Sequence, residues 1–257
     1  MSKELITAVK AAKKAGSMLK HQWSCQSCSF KNRRQIVTKY DLQAEKIILS
    51  TIKKNFPKHS FYGEEGGKTG KSEYQWVIDP IDGTSNFTAG IPIFATSIAL
   101  VKNQETIVAV VYNPITKELF TAQKGRGAFL NSKKIHVSKA NQLAKSLISL
   151  NRGANANGVT ALSKLATPLD KNARTFRKLG CCSLEFCYVA CGKLDGLVNL
   201  FSYPYDYAAG ALIIREAGGT ATDLQGKPFT LFTKCVIAAN KKIHAQLLRV
   251  VSRTKLP

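Results

Sequence analysis

Five carboxylate side chains stand where predicted helices and strands of this chain begin or end: Asp41, Glu64, Asp79, Asp82 and Asp206. Acidic residues are scarce here, with 16 Asp and Glu against 38 Lys and Arg. Placing several of them at turns inside apolar or glycine-rich segments is not the pattern of a solubilising surface. Grouped carboxylates are oxygen ligands, which suit Mg²⁺ and do not suit zinc.

The run Asp-Pro-Ile-Asp-Gly-Thr at 79–84 is the most informative segment, because it directly follows the apolar residues Trp-Val-Ile at 76–78. An apolar strand delivers Asp79 to its end, and Pro80 fixes the turn because its ring restricts φ. Asp82 is then expected to face the same pocket as Asp79. Two carboxylates three residues apart across a turn can bridge or share hard cations.

Gly83 and Thr84 add features of a phosphate site to this run. Gly83 lets a phosphate approach the backbone closely, and Thr84 supplies a hydroxyl that can orient a water. If a helix begins here, its free N–H groups form an anion site. Asp-Pro and Asp-Gly pairs are also common turn formers, and either pair alone more often marks a turn than a site. The complete run after an apolar strand is far more specific.

Interleaved helix and strand patterns position these carboxylates. Helices are predicted in the first segment, with Leu5 and Leu19 on one side, and then at 41–56, 183–191, 206–217 and 241–251. Strands are predicted at 76–78, 95–101, 106–112, 118–122, 146–150, 196–200, 220–222 and 236–239. Thr38 and Asp41 have capping-box spacing, and 63–70 is predicted to be a glycine-rich loop. Because the middle of the chain is a β meander, we predict a mixed α+β or layered architecture.

Two long motifs carry a family resemblance. The run at 79–84 resembles the first signature of the inositol monophosphatase family, and Asp-Tyr-Ala-Ala-Gly-Ala-Leu-Ile-Ile-Arg-Glu-Ala-Gly-Gly at 206–219 resembles the second. The segments 37–41 and 63–65 look like further family elements in the right order. The similarity extends from about 5 to 251, so a chance agreement would be improbable.

This resemblance implies the fold and the assembly. The fold would be α+β, a layered α-β-α-β-α sandwich of the inositol monophosphatase and fructose bisphosphatase type. A single phosphatase domain would cover 1–257, with two lobes of roughly 1–145 and 146–257. The family usually forms homodimers, so a homodimer is expected.

The resemblance also implies roles for individual residues. The implied metal ligands are Glu64, Asp79, the backbone carbonyl of Ile81, Asp82 and Asp206, which would hold two or three Mg²⁺ ions, with inhibition by Li⁺ expected. The implied catalytic residues are Asp41, Glu64 and Thr84. The implied substrate-binding residues are Ile81, Asp82, Gly83, Thr84, Ser85, Cys182, Asn199 and Asp206. Asp41 also suits a helix cap, and Asp206 suits a helix amino terminus; both roles are compatible with the site.

The implied function is Mg²⁺-dependent hydrolysis of a small phosphate monoester by a metal-activated water, with inositol 1-phosphate as the first candidate. Asn199 departs from the family pattern, because relatives that act on inositol phosphate often carry glutamate there. Fructose 1,6-bisphosphate, histidinol phosphate and a 3′-phosphonucleotide therefore stay open as substrates. Ser-Asn-Phe at 85–87 favours the inositol-phosphatase-like branch over relatives that cleave 3′-phosphoadenosine phosphates.

The formal net charge of +22 is the unusual bulk property. Such a surface attracts anions, including phosphorylated metabolites and RNA. The basic residues are spread along the chain, which favours a solvated basic surface over dedicated nucleic-acid binding. An RNA- or transcription-associated binding protein is the alternative from a different functional class. No apolar run is long enough to cross a bilayer, and no signal peptide is recognisable, so we expect a cytoplasmic location without a membrane partner.

The other motifs in the sequence do not indicate a functional site. Cys25 and Cys28 form a C-x-x-C pair, but no second ligand pair follows at a typical zinc spacing, so free thiols are expected. The segment 66–72 lacks the glycine spacing of a P-loop. No G-x-S-x-G nucleophile motif is present.

Overall fold

The computed structural model describes residues 1–24, 28–33 and 35–257. The helices in this part are α1 (Lys3–Lys20), α2 (Lys39–Lys53), α3 (Thr84–Ala89), α4 (Ala156–Asn172), α5 (Cys182–Ala190), α6 (Pro204–Glu216) and α7 (Lys241–Ser252), with a 3₁₀ turn at Leu143–Lys145. The strands are β1 (Ser29–Asn32), β2 (Gln35–Val37), β3 (Ser60–Gly63), β4 (Gly67–Thr69), β5 (Tyr74–Asp82), β6 (Ala95–Lys102), β7 (Glu105–Asn113), β8 (Glu118–Gln123), β9 (Ala128–Leu130), β10 (Lys133–Lys134), β11 (Leu147–Arg152), β12 (Thr175–Arg177), β13 (Gly196–Leu200), β14 (Thr220–Thr222) and β15 (Val236–Ala239). Cys25 of the C-x-x-C pair lies outside the described residues, and Cys28 is a free thiol.

Two large sheets and three pairs of helices form five layers, and β1 and β2 form a separate two-stranded antiparallel hairpin. The larger sheet has eight strands in the order β10-β9-β8-β7-β6-β5-β3-β4, and the smaller has five in the order β12-β11-β13-β15-β14. Helices α1 and α2 cover the outer face of the larger sheet, α5 and α6 lie between the sheets, and α4 and α7 cover the smaller sheet. The predicted α+β class and its layered arrangement are confirmed.

Strand β5 lies inside the larger sheet and carries the central motif. It pairs with β3 in parallel and with β6 in antiparallel orientation. Every residue from Trp76 to Asp82 is buried, as expected for a strand covered on both faces. The pairing of β5 with β6 shifts register between Asp79 and Asp82. A bulge of this kind bends the strand and redirects its side chains, so it determines where the two carboxylates point.

The capping box predicted for α2 is present. Asp41 Oδ2 accepts the Thr38 N–H at 2.7 Å, while Thr38 Oγ1 accepts the N–H of Tyr40 at 3.1 Å. Because both donors at the helix start are satisfied locally, the backbone enters α2 at Lys39, two residues before the predicted start.

The segment 63–70 is not the irregular loop that its glycines predict. It forms the turn of a hairpin, in which β4 covers Gly67–Thr69 and pairs with β3. Gly67 has φ of +67°, which the tight turn requires. The buried Glu45 carboxylate of α2 accepts both N–H groups at 65–66, at 3.0 and 2.7 Å. This distant partner orders the turn, and a local sequence pattern cannot reveal it.

Helix α4 has no counterpart among the predicted elements. Pro168 stands inside it, and proline usually ends a helix because it lacks an N–H donor. The helix nevertheless buries Leu165 and Leu169 on its inner side, and Asn155 caps it by accepting the Gly158 N–H at 2.8 Å. Burial of the apolar side therefore outweighs the lost hydrogen bond.

Close packing between α5 and α6 yields a stability prediction. A Cβ atom added at Gly210 of α6 would lie 2.4 Å from Phe186 Cβ of α5. We expect Gly210→Ala to lower the free energy of unfolding by about 1–3 kcal/mol in urea titrations, because the helices must separate. Ser163→Ala, at an exposed position of α4, is the control and should change stability by less than about 0.5 kcal/mol. A Gly210→Ala variant as stable as the wild type would contradict this packing.

Candidate active site

Three carboxylates from two elements, β5 and α6, converge at the end of β5. One oxygen from each of Asp79, Asp82 and Asp206 lies within 4.8 Å of the other two. Asp79 and Asp82 are buried, and Asp206 is partly buried. The structure thus brings Asp206 next to Asp79 and Asp82, from which it is far along the chain, as the sequence pattern predicted from the chemistry of these residues.

The amino terminus of α5 holds the Asp82 carboxylate. Oδ1 accepts the Cys182 N–H at 3.1 Å, while Oδ2 accepts the Ser183 N–H and, at 3.3 Å, the thiol of Cys181. These donors and the positive end of the helix dipole stabilise the ionised carboxylate. The two cysteines are buried and small, which allows the helix to approach β5 closely.

Helix α6 presents Asp206 from its first turn. Asp206 Oδ2 accepts the Tyr203 N–H at 2.7 Å, and Pro204 occupies the first helical position, where a missing N–H is tolerated. Phe201, just before this turn, has a left-handed backbone with φ of +55°. Such a conformation costs a non-glycine residue roughly 1–3 kcal/mol. The strained turn directs Asp206 toward the other two carboxylates.

The Thr84 hydroxyl connects the turn after β5 to α2. It lies 2.9 Å from the Ile81 carbonyl oxygen and 3.2 Å from Asp41 Oδ1. The other Asp41 oxygen is occupied by Thr38. Burial raises the pKa of Asp41. Since a hydroxyl has one proton, Thr84 shares it between these two acceptors, and the lone pairs of its oxygen can still accept a hydrogen bond from a water.

Glu64 follows β3 and is anchored beside β5 by its N–H, which donates to the Ile78 carbonyl at 3.1 Å. Lys31 of β1 contacts its carboxylate at 3.3 Å and that of Glu65 at 2.5 Å. The β1–β2 hairpin is therefore tied to the site through Lys31.

The carboxylates of the cluster have raised pKa values. Burial raises the pKa of Glu64 to about 7. Burial also raises the pKa of Asp79 well above its usual range, with added repulsion from Glu64, Asp82 and Asp206. Burial and repulsion from the charge of Asp82 also raise the pKa of Asp206 well above its usual range. The metal-free cluster therefore retains protons that a bound cation would displace.

A metal ion fits this donor set. Asp79 Oδ1 is buried and has no hydrogen-bond partner among the described residues, although leaving a buried polar atom unpaired is unfavourable. The converging donors are carboxylate oxygens, the ligands of a hard cation. The acidic cluster can therefore bind a metal.

Glu64, Asp82 and Asp206 open onto a polar cleft of about 230 Å³. The predicted site residues that line it are Glu64, Asp82, Gly83, Thr84, Ser85, Cys182 and Asp206. Gly83 has φ of +90°, and a Cβ atom there would lie 3.0 Å from the Ile93 carbonyl oxygen. Backbone conformation and space both require glycine at this edge of the cleft.

Asn199 is not among the residues that line the cleft. It is fully buried, and its Oδ1 accepts the hydroxyl of Ser202, a lining residue, at 2.8 Å. Its Nδ2 has no partner in the described part of the chain. In this arrangement Asn199 orients Ser202, and its predicted substrate contact stays a prediction.

Four supporting residues were not found from the sequence: Lys31, Glu45, Asn86 and Glu185. Glu185 of α5 is fully buried, and its Oε1 accepts the N–H groups of Leu179 and Gly180 at 2.7 and 3.1 Å. Asn86 Nδ2 donates to the Leu179 carbonyl at 2.8 Å. An acidic residue between Leu184 and Phe186 in an apolar helix was the available signal for Glu185.

The model of the inositol monophosphatase family matches residues 1–256. The chain belongs to this family. Inositol monophosphatase 2 from Solanum lycopersicum is 38% identical over 258 residues, covering 96% of this chain and 97% of the relative. Nus factor SuhB from Escherichia coli K12 is 36% identical over 247 residues, covering 94% and 92%. A solved inositol monophosphatase from Thermotoga maritima superimposes with a TM-score of 0.91 at 34% identity, covering 98% of each chain.

Family membership confirms the predicted enzyme class, a phosphoric monoester hydrolase. The family is metal-dependent and acts on small phosphorylated substrates. Among the described helices, none is long and apolar enough to span a bilayer.

Glu185 yields a prediction on pH dependence. Burial raises its pKa from 4.5 to about 8, so between these values the folded protein holds a proton that the unfolded chain releases. This group therefore makes stability fall as pH rises from about 4.5 to about 8. Glutamine can accept the same N–H bonds without ionising, so Glu185→Gln should gain stability relative to wild type as pH rises.

Urea titrations of both proteins at pH 5, 7 and 9, in EDTA, measure this difference. We expect the variant to be the more stable protein at pH 9, by a few kcal/mol, with the gap shrinking toward pH 5. A gap that does not change with pH would mean that Glu185 is ionised in the folded protein throughout.

Proposed function

We propose that this protein is a Mg²⁺-dependent phosphatase that hydrolyses a small phosphate monoester, with inositol 1-phosphate as its first candidate substrate. The convergence of Asp79, Asp82 and Asp206 carries this proposal, because Asp79 Oδ1 is buried and has no hydrogen-bond partner among the described residues. An all-oxygen donor set supports Mg²⁺. Fructose 1,6-bisphosphate, histidinol phosphate and a 3′-phosphonucleotide are the alternative substrates for the same site.

In this proposal Glu64, Asp79 and the Ile81 carbonyl would hold the first Mg²⁺. Asp79, Asp82 and Asp206 would hold the second, and Glu64 would also contribute to binding a third. Bound there, Mg²⁺ supplies a water of lowered pKa and positive charge against the phosphoryl oxygens. Li⁺ is expected to inhibit.

The protein's own groups orient the reactants. The Thr84 hydroxyl, fixed between Ile81 and Asp41, orients the attacking water, and Asp41 Oδ1 is the acceptor behind it. The N–H groups of Gly83, Thr84 and Ser85, together with the Ser85 hydroxyl, hold the substrate phosphate at the start of α3. Cys182 and Ser202 line the wall that faces the leaving alcohol. Asn199 lies behind Ser202 and accepts its hydroxyl, which fixes the orientation of the Ser202 side chain toward the substrate.

We also propose a homodimer in which each subunit is a single domain over 1–257, with lobes of roughly 1–145 and 146–257. The two sheets support this division, because strands of the larger sheet end at Lys134 and those of the smaller begin at Leu147.

Phosphate release tests the proposed activity. With Mg²⁺ we expect release from at least one of inositol 1-phosphate, fructose 1,6-bisphosphate, 3′-phosphoadenosine 5′-phosphate and histidinol phosphate, and none with EDTA. Asp82→Asn should lower kcat/KM by roughly 100-fold or more, since a metal ligand is lost. Asp170→Asn, at an exposed position of α4, is the matched control and should retain wild-type activity. Release that persists in EDTA would contradict the metal-dependent mechanism.

A second candidate function is supported by charge. The chain carries a formal net charge of +22, and one relative is named a Nus factor. A surface of this kind attracts the phosphates of RNA. We therefore consider RNA binding as a function separate from the cleft.

Salt dependence tests this candidate. Single-stranded RNA should bind at about 50 mM salt, and the affinity should fall at least about 10-fold by about 200 mM, because phosphate contacts release counterions. Asp82→Asn, which alters the cleft, should bind as the wild type does. Absence of binding at low salt would remove RNA binding as a candidate.

A further inference from the structure

We propose that a basic pocket separate from the carboxylate cleft binds a small anion that carries two or more phosphate groups. The pocket has a volume of about 490 Å³ and lies between α1, the turn that joins β7 to β8 and the turn that joins β9 to β10. Lys13, Lys20 and Lys117 line it. Among the described residues, none lines both this pocket and the carboxylate cleft, so an anion bound here would not occupy the cleft.

Helix α1 presents two of these lysines on one face. Lys13 and Lys20 are seven residues apart, which corresponds to about two helical turns and roughly 10 Å along the helix axis. Ser17 lies between them on the same face and lines the same pocket. All three side chains are exposed, because the opposite side of α1 carries the buried apolar residues. Both ammonium groups can therefore reach one ligand in the pocket.

Lys117 lines the pocket from the turn between β7 and β8. Its backbone is left-handed, with φ of +58°. Asn113 holds this turn, because its Oδ1 accepts the N–H groups of Ile115 and Thr116 at 2.9 and 3.2 Å. A cation on a fixed turn loses less freedom on binding a ligand than one on a mobile loop.

No acidic residue in the described part of the chain lines this pocket, and its three lysines form no ion pair there. The carboxylate nearest to the turn in sequence, that of Glu118, forms an ion pair with Lys193. It also accepts the hydroxyls of Tyr188 at 3.1 Å and Thr116 at 2.9 Å. Since successive side chains of a strand point to opposite faces, Glu118 faces away from the pocket that Leu119 lines.

The half-buried ring of Tyr112 forms one wall of the pocket and packs against α1 at Gly16. A Cβ atom at Gly16 would lie 2.7 Å from Tyr112 Cε1, so a larger residue there would displace the ring. Burial raises the pKa of the Tyr112 hydroxyl, which therefore keeps its proton. This hydroxyl forms no hydrogen bond within the described residues, so it is available as a donor to an anion.

This set of donors suits an anion with several negative charges. Ammonium groups bind phosphate through charge-assisted hydrogen bonds, and a chain of phosphates can contact cations on both turns of α1 at once. The pocket is concave, and its volume of about 490 Å³ is typical of small-molecule sites. A nucleic acid, in contrast, requires a charged groove that follows an extended backbone. We therefore assign the pocket to a small polyphosphate anion.

Calorimetric titration with inorganic tripolyphosphate tests this site. On full-length protein freed of metal ions, at about 50 mM salt, we expect one tripolyphosphate to bind per chain. Lys13→Gln and Lys117→Gln should each raise Kd about tenfold, because each removes one charge-assisted contact. Lys171→Gln, at an exposed position of α4, removes the same charge elsewhere and should leave Kd within about twofold of the wild type.

A second pair of variants adds a negative charge. Ser17→Glu places a carboxylate between the two lysines of α1 and should weaken tripolyphosphate binding by more than about tenfold, because like charges repel. Ser163→Glu, at an exposed position of α4, changes the net charge equally and should bind as the wild type does.

Three results would overturn the proposal. One is the absence of tripolyphosphate binding at low salt. Another is an equal effect of the pocket variants and their α4 controls, which would mean that the overall charge attracts the anion. The third is displacement of tripolyphosphate by single-stranded RNA whose own binding weakens in Lys13→Gln and Lys117→Gln, which would assign this surface to a nucleic acid.

Discussion

Repulsion among three carboxylates, two of them buried and one partly buried, is the constraint on which the rest of this structure depends. At separations of up to 4.8 Å, two unit charges repel by roughly 3 kcal/mol at an effective dielectric constant of about 20. A hydrogen bond to a charged group stabilises it by about 1.5–3 kcal/mol, which can offset part of this repulsion. Asp82 and Asp206 have such donors, whereas Asp79 Oδ1 has none in the described part of the chain. Protons or cations must therefore complete the cluster.

The layered fold satisfies this constraint by directing two helix amino termini at the end of one strand. Helices α5 and α6 lie between the sheets, and their first turns meet the bulge of β5. Contact between Gly210 and Phe186 holds the two helices close together. The helix that stabilises Asp82 and the helix that carries Asp206 are thus positioned by one packing interface. Core packing and site geometry are consequences of the same contact.

Features that depend on neighbouring residues in the chain were predicted from the sequence. Features that depend on residues from other helices and strands were not. The apolar strand before Asp79 and the cap formed by Thr38 and Asp41 are local patterns, and both were predicted correctly. The hairpin at 63–70 depends on Glu45 from another helix, so its glycines alone suggested a loop. The roles of Glu185 and Lys31 were missed for the same reason, because each depends on the tertiary position of its partners. Family resemblance supplied the site residues as a set, but it could not supply their hydrogen bonds.

The surface of the protein is positively charged, whereas the cleft contains a cluster of acidic side chains, and together these charges control how anions bind. A formal net charge of +22 draws anions toward the molecule at any metal concentration. Those carboxylates of the cluster that remain ionised repel the anions at short range until cations neutralise them. The positive surface therefore attracts a phosphorylated ligand from a distance, whereas the carboxylates repel it inside the cleft. As a result, the ligand binds only when cations occupy the carboxylate cluster. The scarcity of acidic residues elsewhere increases this contrast, because few other carboxylates compete for the cation.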